Sequence, residues 1–229
     1  MGKNKPPEEI SPPVITDESI RATHHFLTGR LGLSARFING ILETDDEWTL
    51  VIKLHAMVES ALNEVLMARF KVPELEKVIA RLETGDPERG KIAFAQKFGW
   101  ITDRQRTFLR FFSTLRNFLV HDAKNFEFSL KTYPDTLVAG ERSKWISLLT
   151  DALSENLRFE GVSVTRTEFA EKDPRNALCN ACLMIMHKLT AALDSLLIPS
   201  ASGAESTPKG QPDRQTQLPP MLPMLQSPL

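Results

Sequence analysis

The stretch that decides the fold is TDRQRTFLRFFSTLRNFLVHD, which spans residues 102–122. It begins with Thr102 and, three residues later, Gln105, which is the spacing of a capping box at the start of a helix. Large apolar residues then recur at helical steps on one wide arc: Phe108, Phe111, Phe112, Leu115, Phe118 and Leu119. This pattern predicts an amphipathic helix whose apolar side lies at the centre of the core.

Similar patterns predict helices along most of the remaining chain. Thr44 and Glu47 have the spacing of another capping box, which opens a helix that nothing interrupts before Phe70. Further helices are predicted after Thr16 or Asp17, from Ser34, from Pro73, from Glu141 to about Phe159, and from Asp173-Pro174 onward. Another is predicted with Asp86 as N-cap, Pro87 as first residue and Gly99 as C-cap. The alternation of Phe126, Phe128 and Leu130 is compatible with a short strand or extended segment. The predicted fold class is therefore all-α, a bundle of five to seven helices with antiparallel neighbours.

The two ends of the chain differ in composition from this middle part. Residues 1–15 are rich in proline and charge, and residues 199–229 are rich in Pro, Ser, Gly and Gln. Both are predicted to be disordered tails, because they carry too little apolar surface to offset the entropy of ordering. The apolar residues between the prolines of residues 218–225 also fit a short partner-binding peptide. A single helical domain is thus expected over residues 16–198.

Charge and composition exclude several classes of protein. The net charge of −1 gives no global argument for binding nucleic acid or membranes, although a local basic face is compatible with it. No apolar run approaches the roughly 18 residues of a membrane span, and the polar N-terminus does not resemble a signal peptide. Cys179 and Cys182 form a lone C-x-x-C without further ligands, so we expect core cysteines rather than a zinc or redox site. These features predict a cytoplasmic protein without metal or cofactor.

The candidate chemistry lies in the last turn of the residue 102–122 helix, which carries Arg116, Asn117 and His121. On a helical wheel, Asn117 and His121 share one polar stripe with Arg106, Arg110 and Ser113, whereas Arg116 lies about 100° away from it. Asn117 and His121 are four residues apart, so the amide can orient the imidazole. Arg116 and His121 do not face each other on a regular helix. A joint site therefore requires that the helix ends or bends at His121, or that a second chain supplies one of the two.

Each of these residues also has a purely structural interpretation. Arg116, Asn117 and His121 are compatible with capping the helix C-terminus, where cations and donors meet free carbonyl groups. Three arginines near the motif are candidates for a phosphate-binding rim: Arg104, Arg106 and Arg110. They are also compatible with a solvated face that is salt-bridged to acids elsewhere. Glu59 on the long preceding helix is either a buried partner of Arg116 or His121, or an ordinary solvated residue.

The pattern Arg116-Asn117, three further residues and His121 at the end of a core helix resembles the signature of HEPN domains. The resemblance covers mainly residues 48–122, and it implies a small helical bundle. In active members of that family the motif forms a metal-independent ribonuclease site, typically across a homodimer. The chain is also similar, more weakly, to mannitol-repressor-like helical regulators.

Two functions follow from this resemblance. The first is a metal-independent endoribonuclease of the toxin or stress-response type, in which a 2′-hydroxyl of RNA attacks the adjacent phosphate. His121 would then act as general acid or base, Arg116 would stabilise charge on the phosphate, and Asn117 would orient His121 or the substrate. The second is a non-enzymatic regulatory or protein-interaction module with a relict motif. The implied partners are RNA, a second copy of the chain, and an antitoxin or regulatory protein.

Overall fold

The computed structural model describes residues 23–159 and 162–197. The two predicted tails, over residues 1–15 and 199–229, lie outside these ranges, as does the predicted start of the first helix near Thr16. The described part opens with a helical segment that ends in a π-helical turn, Phe26–Arg30. The elements that follow are α1 (Ala35–Leu42), α2 (Glu47–Phe70), α3 (Glu76–Arg81), α4 (Lys91–Lys97), α5 (Asp103–His121), α6 (Ala139–Thr150), β1 (Asn156–Phe159), β2 (Val162–Thr165), α7 (Arg166–Lys172) and α8 (Pro174–Leu197). The predicted all-α class is confirmed.

The core forms where α5 meets its neighbours. The long helices α2 and α8 pack against each other more extensively than any other pair of described helices, and α5 packs against α2, α4 and α6. Phe108, Phe112 and Leu119 of α5 are fully buried there, as the apolar arc predicts. Phe118 belongs to the same arc but is partly exposed, because it lies at the edge of the apolar face near the end of the helix. Burial of this arc fixes which face of α5 remains available to solvent.

Local capping patterns predicted some helix ends and missed others. The capping box of Thr102 and Gln105 is present at the start of α5. The predicted box of Thr44 and Glu47 is wrong, because the Asp46 carboxylate accepts from the first free amides of α2 instead. The Glu47 carboxylate accepts from the distant Leu130 backbone N–H at 2.5 Å. Two neighbouring acidic residues both suit a helix start, and only the long-range contact separates their roles.

The prediction for α4 and its N-cap is also wrong in detail. Asp86 caps a turn by accepting from the backbone N–H groups of Glu88 and Arg89, at 2.9 and 2.7 Å. The helix itself begins at Lys91, with Gly90 as N-cap. Its other end is as predicted: Gly99 follows with a left-handed φ of 73°, the conformation that a C-cap glycine adopts.

Two later segments differ from the sequence prediction. The helix expected to reach Phe159 ends at Thr150, and residues 156–159 pair antiparallel with residues 162–165 in a β-hairpin. The extended segment expected around Phe126 is a 3₁₀-helix, Ala123–Glu127, whose N-cap is Asp122. Short apolar runs are compatible with either structure, so tertiary contacts decide between them.

The remaining expectations about the fold concern α8 and the membrane. Asp173-Pro174 opens α8 as predicted, and its two cysteines are buried and free. Burial raises the pKa of the Cys179 thiol to about 11. A thiol that stays protonated is a poor nucleophile and metal ligand, which agrees with core cysteines. None of the helices in the described ranges has the length and apolarity that crossing a bilayer requires.

Candidate functional site

Helix α5 ends at His121, and donors from other elements satisfy two of its last carbonyl groups. The indole Nε1 of Trp48 donates to the carbonyl oxygen of Leu119 at 3.0 Å, and Asn125 Nδ2 donates to that of Phe118 at 2.7 Å. These positions follow from the fold, because Trp48 begins α2 and Asn125 lies in the 3₁₀-helix after α5. The helix end is therefore capped at these carbonyls by residues other than Arg116, Asn117 and His121.

The three motif residues lie at this helix end with different contacts. Arg116 is half-buried, and its Nη1 donates to Asn117 Oδ1 at 3.1 Å. Asn117 and His121 are exposed. The structure thus joins Asn117 to Arg116, where the wheel had suggested a contact with His121. No ion pair links Arg116 to a carboxylate among the described residues, so its charge is available to an anion.

A groove between α5 and α6 contains two of the three residues of the predicted rim, Arg106 and Arg110. We call it the basic groove; it has a volume of about 400 Å³ and is lined by Arg106, Thr107, Arg110, Phe111, Thr114, Lys144 and Leu148. Arg106 is fixed at one side, since its Nη2 donates to the Pro87 carbonyl at 3.3 Å. Arg110 and Lys144 are exposed. The sequence did not indicate Lys144, because its part in the groove depends only on how α6 packs against α5.

Arg104, the third residue of the predicted rim, does not line the groove and has a structural role instead. Its Nη1 lies 2.6 Å from Glu155 Oε1, and its Nε lies 3.7 Å from Asp151 Oδ1. Partial burial raises the pKa of Asp151, although the charge of Arg104 opposes this shift. The salt-bridged alternative therefore holds for Arg104, whereas Arg106 and Arg110 form no ion pair with a described carboxylate.

A largely buried polar cluster lies where α2 meets α5, and the sequence did not reveal it. His55 Nε2 is 3.2 Å from Ser113 Oγ, and His55 Nδ1 is 3.9 Å from Glu59 Oε2. The fully buried Lys91 donates to Glu59 Oε1 at 2.6 Å, and Thr84 donates to the same oxygen at 2.8 Å. Glu59 is thus engaged by Lys91 and Thr84, so its predicted contact with Arg116 or His121 is replaced by these bonds.

This cluster has the residue types of a serine–histidine–acid site, but its geometry favours a structural role. Ser113 is buried, and the chain at Gly85 packs against its side chain. Burial lowers the pKa of His55 to about 4, and the nearby charges of Arg116 and Lys91 act in the same direction. The imidazole is therefore neutral near pH 7 and serves as a hydrogen-bonding link between α2 and α5. The neutral imidazole ring of His55 is also close enough to Arg116 for the charge of Arg116 to affect its pKa.

No family model, no curated protein and no solved structure matches this chain. Within the described residues there is no cluster of three or more His, Cys, Asp or Glu side chains that could hold a metal ion. The function must therefore be inferred from the end of α5 and the basic groove.

Proposed function

We propose that this chain is a HEPN-like, metal-independent endoribonuclease of the toxin or stress-response type, which acts in the cytoplasm as a homodimer. One observation carries the proposal. The last turn of α5 presents an Arg116–Asn117 pair and an exposed His121, while Trp48 and Asn125 cap the carbonyl groups of that turn. The motif side chains are therefore not consumed in ending the helix.

The chemistry available to these groups is the transesterification of RNA. A 2′-hydroxyl oxygen attacks the adjacent phosphorus, the bond between phosphorus and the 5′-oxygen breaks, and the products are a cyclic phosphate and a free 5′-hydroxyl. Imidazole suits the transfer of the proton that leaves the 2′-hydroxyl or the one that the 5′-oxygen receives. The Arg116 guanidinium stabilises the additional negative charge on the phosphate. Asn117 positions this guanidinium, since their hydrogen bond restricts its rotation.

A second copy of the chain would complete this site. Arg116 and His121 are five positions apart in the helix, so the two side chains leave α5 about 140° apart. Exposed apolar side chains flank the motif: Phe118, Val120 and Phe126 are 42%, 37% and 59% exposed. Apolar side chains grouped at a surface favour contact with another protein surface. This arrangement supports a dimer in which Arg116 of one copy and His121 of the other act on the same phosphate.

The test is incubation of the purified protein with end-labelled single-stranded RNA in EDTA. We expect the wild type to cleave the RNA to a cyclic phosphate product, and His121→Ala to lower the rate by about 100-fold or more. His24→Ala is the matched control, because His24 is also an exposed histidine, far along the chain from the motif. Equal cleavage by wild type and His121→Ala would refute the assignment.

A non-enzymatic regulator is the second candidate. It is favoured by the lack of any hydrogen bond between Arg116 and His121, together with a basic groove that needs no catalytic group to bind an anion. Such a protein would retain RNA or another anionic partner without altering it. Wild-type protein that binds the labelled RNA and leaves it intact in EDTA would support this candidate over the first.

A further inference from the structure

The basic groove carries positive charge that the described part of the chain does not neutralise. Arg106, Arg110 and Lys144 line it, and none of them lies within ion-pair distance of a described carboxylate. Two carboxylates of neighbouring segments are already engaged. Asp151, the residue that follows α6, pairs with Arg104. Asp86 accepts from two backbone N–H groups, which together lower its pKa more than the charge of Arg110 does. The groove is therefore suited to an external anion.

The floor of the groove is apolar and partly aromatic. Phe111 and Leu148 are half-buried, and the Phe111 ring meets Trp145 edge-on at a centroid distance of 4.9 Å. This contact fixes the orientation of the ring. Thr107 and Thr114 donate their hydroxyl protons to backbone carbonyls of α5, each at 3.0 Å, so their oxygens remain available as acceptors. The groove, of about 400 Å³, thus has the groups that a nucleotide requires. Its cations suit a phosphate, its aromatic ring suits a base, and its hydroxyl acceptors suit the exocyclic amino groups of that base.

The groove and the motif lie along the same helix. Arg110, Thr114, Asn117 and His121 follow one another at steps of three or four residues, so they share one face of α5. The distance along the axis from Thr114 to His121 is about 10 Å. A strand that is bound in the groove can therefore reach His121 within a few nucleotides.

We infer that the basic groove is a nucleotide subsite for single-stranded RNA. One phosphate binds to Arg106, Arg110 and Lys144, the attached base packs against Phe111, and the strand continues along α5 to His121. A single strand fits better than a duplex, because only an unpaired base can leave the stack and reach the groove floor. The choice of RNA as ligand rests on the proposed function, whereas the location of the subsite rests on the groove alone.

The test is the binding of a fluorescent, 2′-O-methylated single-stranded oligonucleotide, which the proposed reaction cannot cleave. We expect Arg110→Ala and Lys144→Ala each to weaken binding about tenfold and to reduce the slope of log affinity against log salt by about one. Phe111→Leu, which keeps an apolar side chain but removes the ring, should weaken binding about fivefold or more. Arg36→Ala is the matched control, because Arg36 is an exposed arginine on α1 that forms no ion pair with a described residue.

The outcomes separate this inference from the proposed reaction. Unchanged affinity in Arg110→Ala and Lys144→Ala would overturn the subsite, even if His121-dependent cleavage is observed. Equal competition by a duplex of the same length, or by polyglutamate, would also overturn it, because the groove would then select only for negative charge. Groove-dependent binding of this oligonucleotide, together with unmodified RNA that wild-type protein leaves intact in EDTA, would leave the subsite in place and refute the ribonuclease. Circular dichroism of each variant checks that the helical fold is retained.

Discussion

His55 lies buried between α2 and α5, and the charge of Arg116 acts on its imidazole. Protonating His55 would place a positive charge in a position with little access to water and near the charges of Arg116 and Lys91. Burial has the largest effect on its pKa and outweighs the opposing charge of Glu59. The fold therefore keeps this histidine neutral, with Ser113 as its hydrogen-bond partner. As a consequence, His55 binds a proton more readily in the unfolded chain than in the folded protein.

Stability should accordingly fall when the pH is lowered. The pKa of His55 drops from 6.5 in the unfolded chain to about 4 in the folded protein, so below pH 6.5 only the unfolded state gains the proton. We expect the free energy of unfolding to decrease by about 2 kcal/mol between about pH 7 and pH 5 through this residue. The carboxyl of Glu59, whose pKa is lowered from 4.5, contributes stability that is lost only at more acidic pH.

Urea unfolding of the wild type and of His55→Gln over this range measures the effect. Glutamine can keep a hydrogen bond to Ser113 but does not titrate, so the variant should show a flatter pH dependence by about 2 kcal/mol. Parallel curves for the two proteins would mean that folding does not exclude the proton at His55. Comparison with the variant removes the contribution of every other titrating group.

The residues of the candidate site were predictable from the sequence to different degrees. Arg116, Asn117 and His121 stood out because three different polar groups follow a regular apolar arc at a helix end. His55 and Lys91 did not, since a histidine or lysine inside a helical pattern normally indicates a solvated face. Burial of Lys91 is possible only because Glu59 from α2 and the Ala80 carbonyl at the end of α3 meet it there. Such a meeting of elements has no local sequence signal.

At the scale of elements, the turn between α3 and α4 connects the buried cluster to the basic groove. Pro87 in this turn offers its carbonyl to Arg106, and Thr84 donates to Glu59. Gly90 closes the turn in an extended conformation with a φ of −75°, which any residue can adopt. Its requirement for glycine is therefore one of space rather than of backbone freedom.

Substitution of Gly90 tests this packing. A Cβ atom at position 90 would lie 2.6 Å from the Asp86 carbonyl oxygen and 2.7 Å from that of Glu83, so the backbone would have to move. We expect Gly90→Ala to lower the free energy of unfolding by about 2 kcal/mol. Gly40→Ala in α1 is the opposite control: no atom lies within 4 Å of its Cβ position, and alanine should stabilise the helix by about 0.5–1 kcal/mol.

Thermal unfolding of both variants measures these changes in stability. The midpoint should fall by about 4–8 °C for Gly90→Ala and rise by about 2 °C for Gly40→Ala. A Gly90→Ala protein as stable as the wild type would show that the turn has room to relax. Because the turn holds Arg106, the same variant should also weaken binding in the basic groove.

Element types were predictable where a periodic pattern was long, as in α2, α5 and α8. Boundaries were predictable where the expected cap residue is the one that the fold uses, as at Thr102 and Gly99. They were not where two candidates competed, as at Thr44 and Asp46, since the choice depended on the distant partner of Glu47. The β-hairpin was missed because each strand has only four residues, which is too short for a reliable period.

At the scale of the whole molecule, the bundle divides α5 into three faces. Its apolar arc is buried in the core, the face of Ser113 meets His55 in α2, and the face of Arg106 and Arg110 opens into the basic groove beside α6. The wheel predicted the apolar arc, but it placed Ser113 on one polar stripe with Arg106 and Arg110. Only the tertiary structure shows that Ser113 is buried against His55. The exposed motif residues lie at the end of α5. The exposed apolar side chains of Phe118 and Val120 lie beside them.

A composite site across two copies makes a prediction that no site within one chain shares. Arg116→Ala and His121→Ala should each be inactive alone. In a dimer of one variant with the other, the copy with His121→Ala still supplies Arg116, and the copy with Arg116→Ala still supplies His121. One of the two sites in that mixed dimer is then intact.

Mixing equal amounts of the two inactive variants under conditions of subunit exchange should thus restore about a quarter of wild-type cleavage, because half of the dimers are mixed and each has one working site. The control is Arg116→Ala mixed with the Arg116→Ala, His121→Ala double variant, which can form no intact site. If the productive mixture is no more active than this control while wild type cleaves, Arg116 and His121 must act within one chain. The last turn of α5 would then have to bend, because the two side chains leave a regular helix about 140° apart. Substitution of Trp48 or Asn125, which cap this turn, would then alter the cleavage rate.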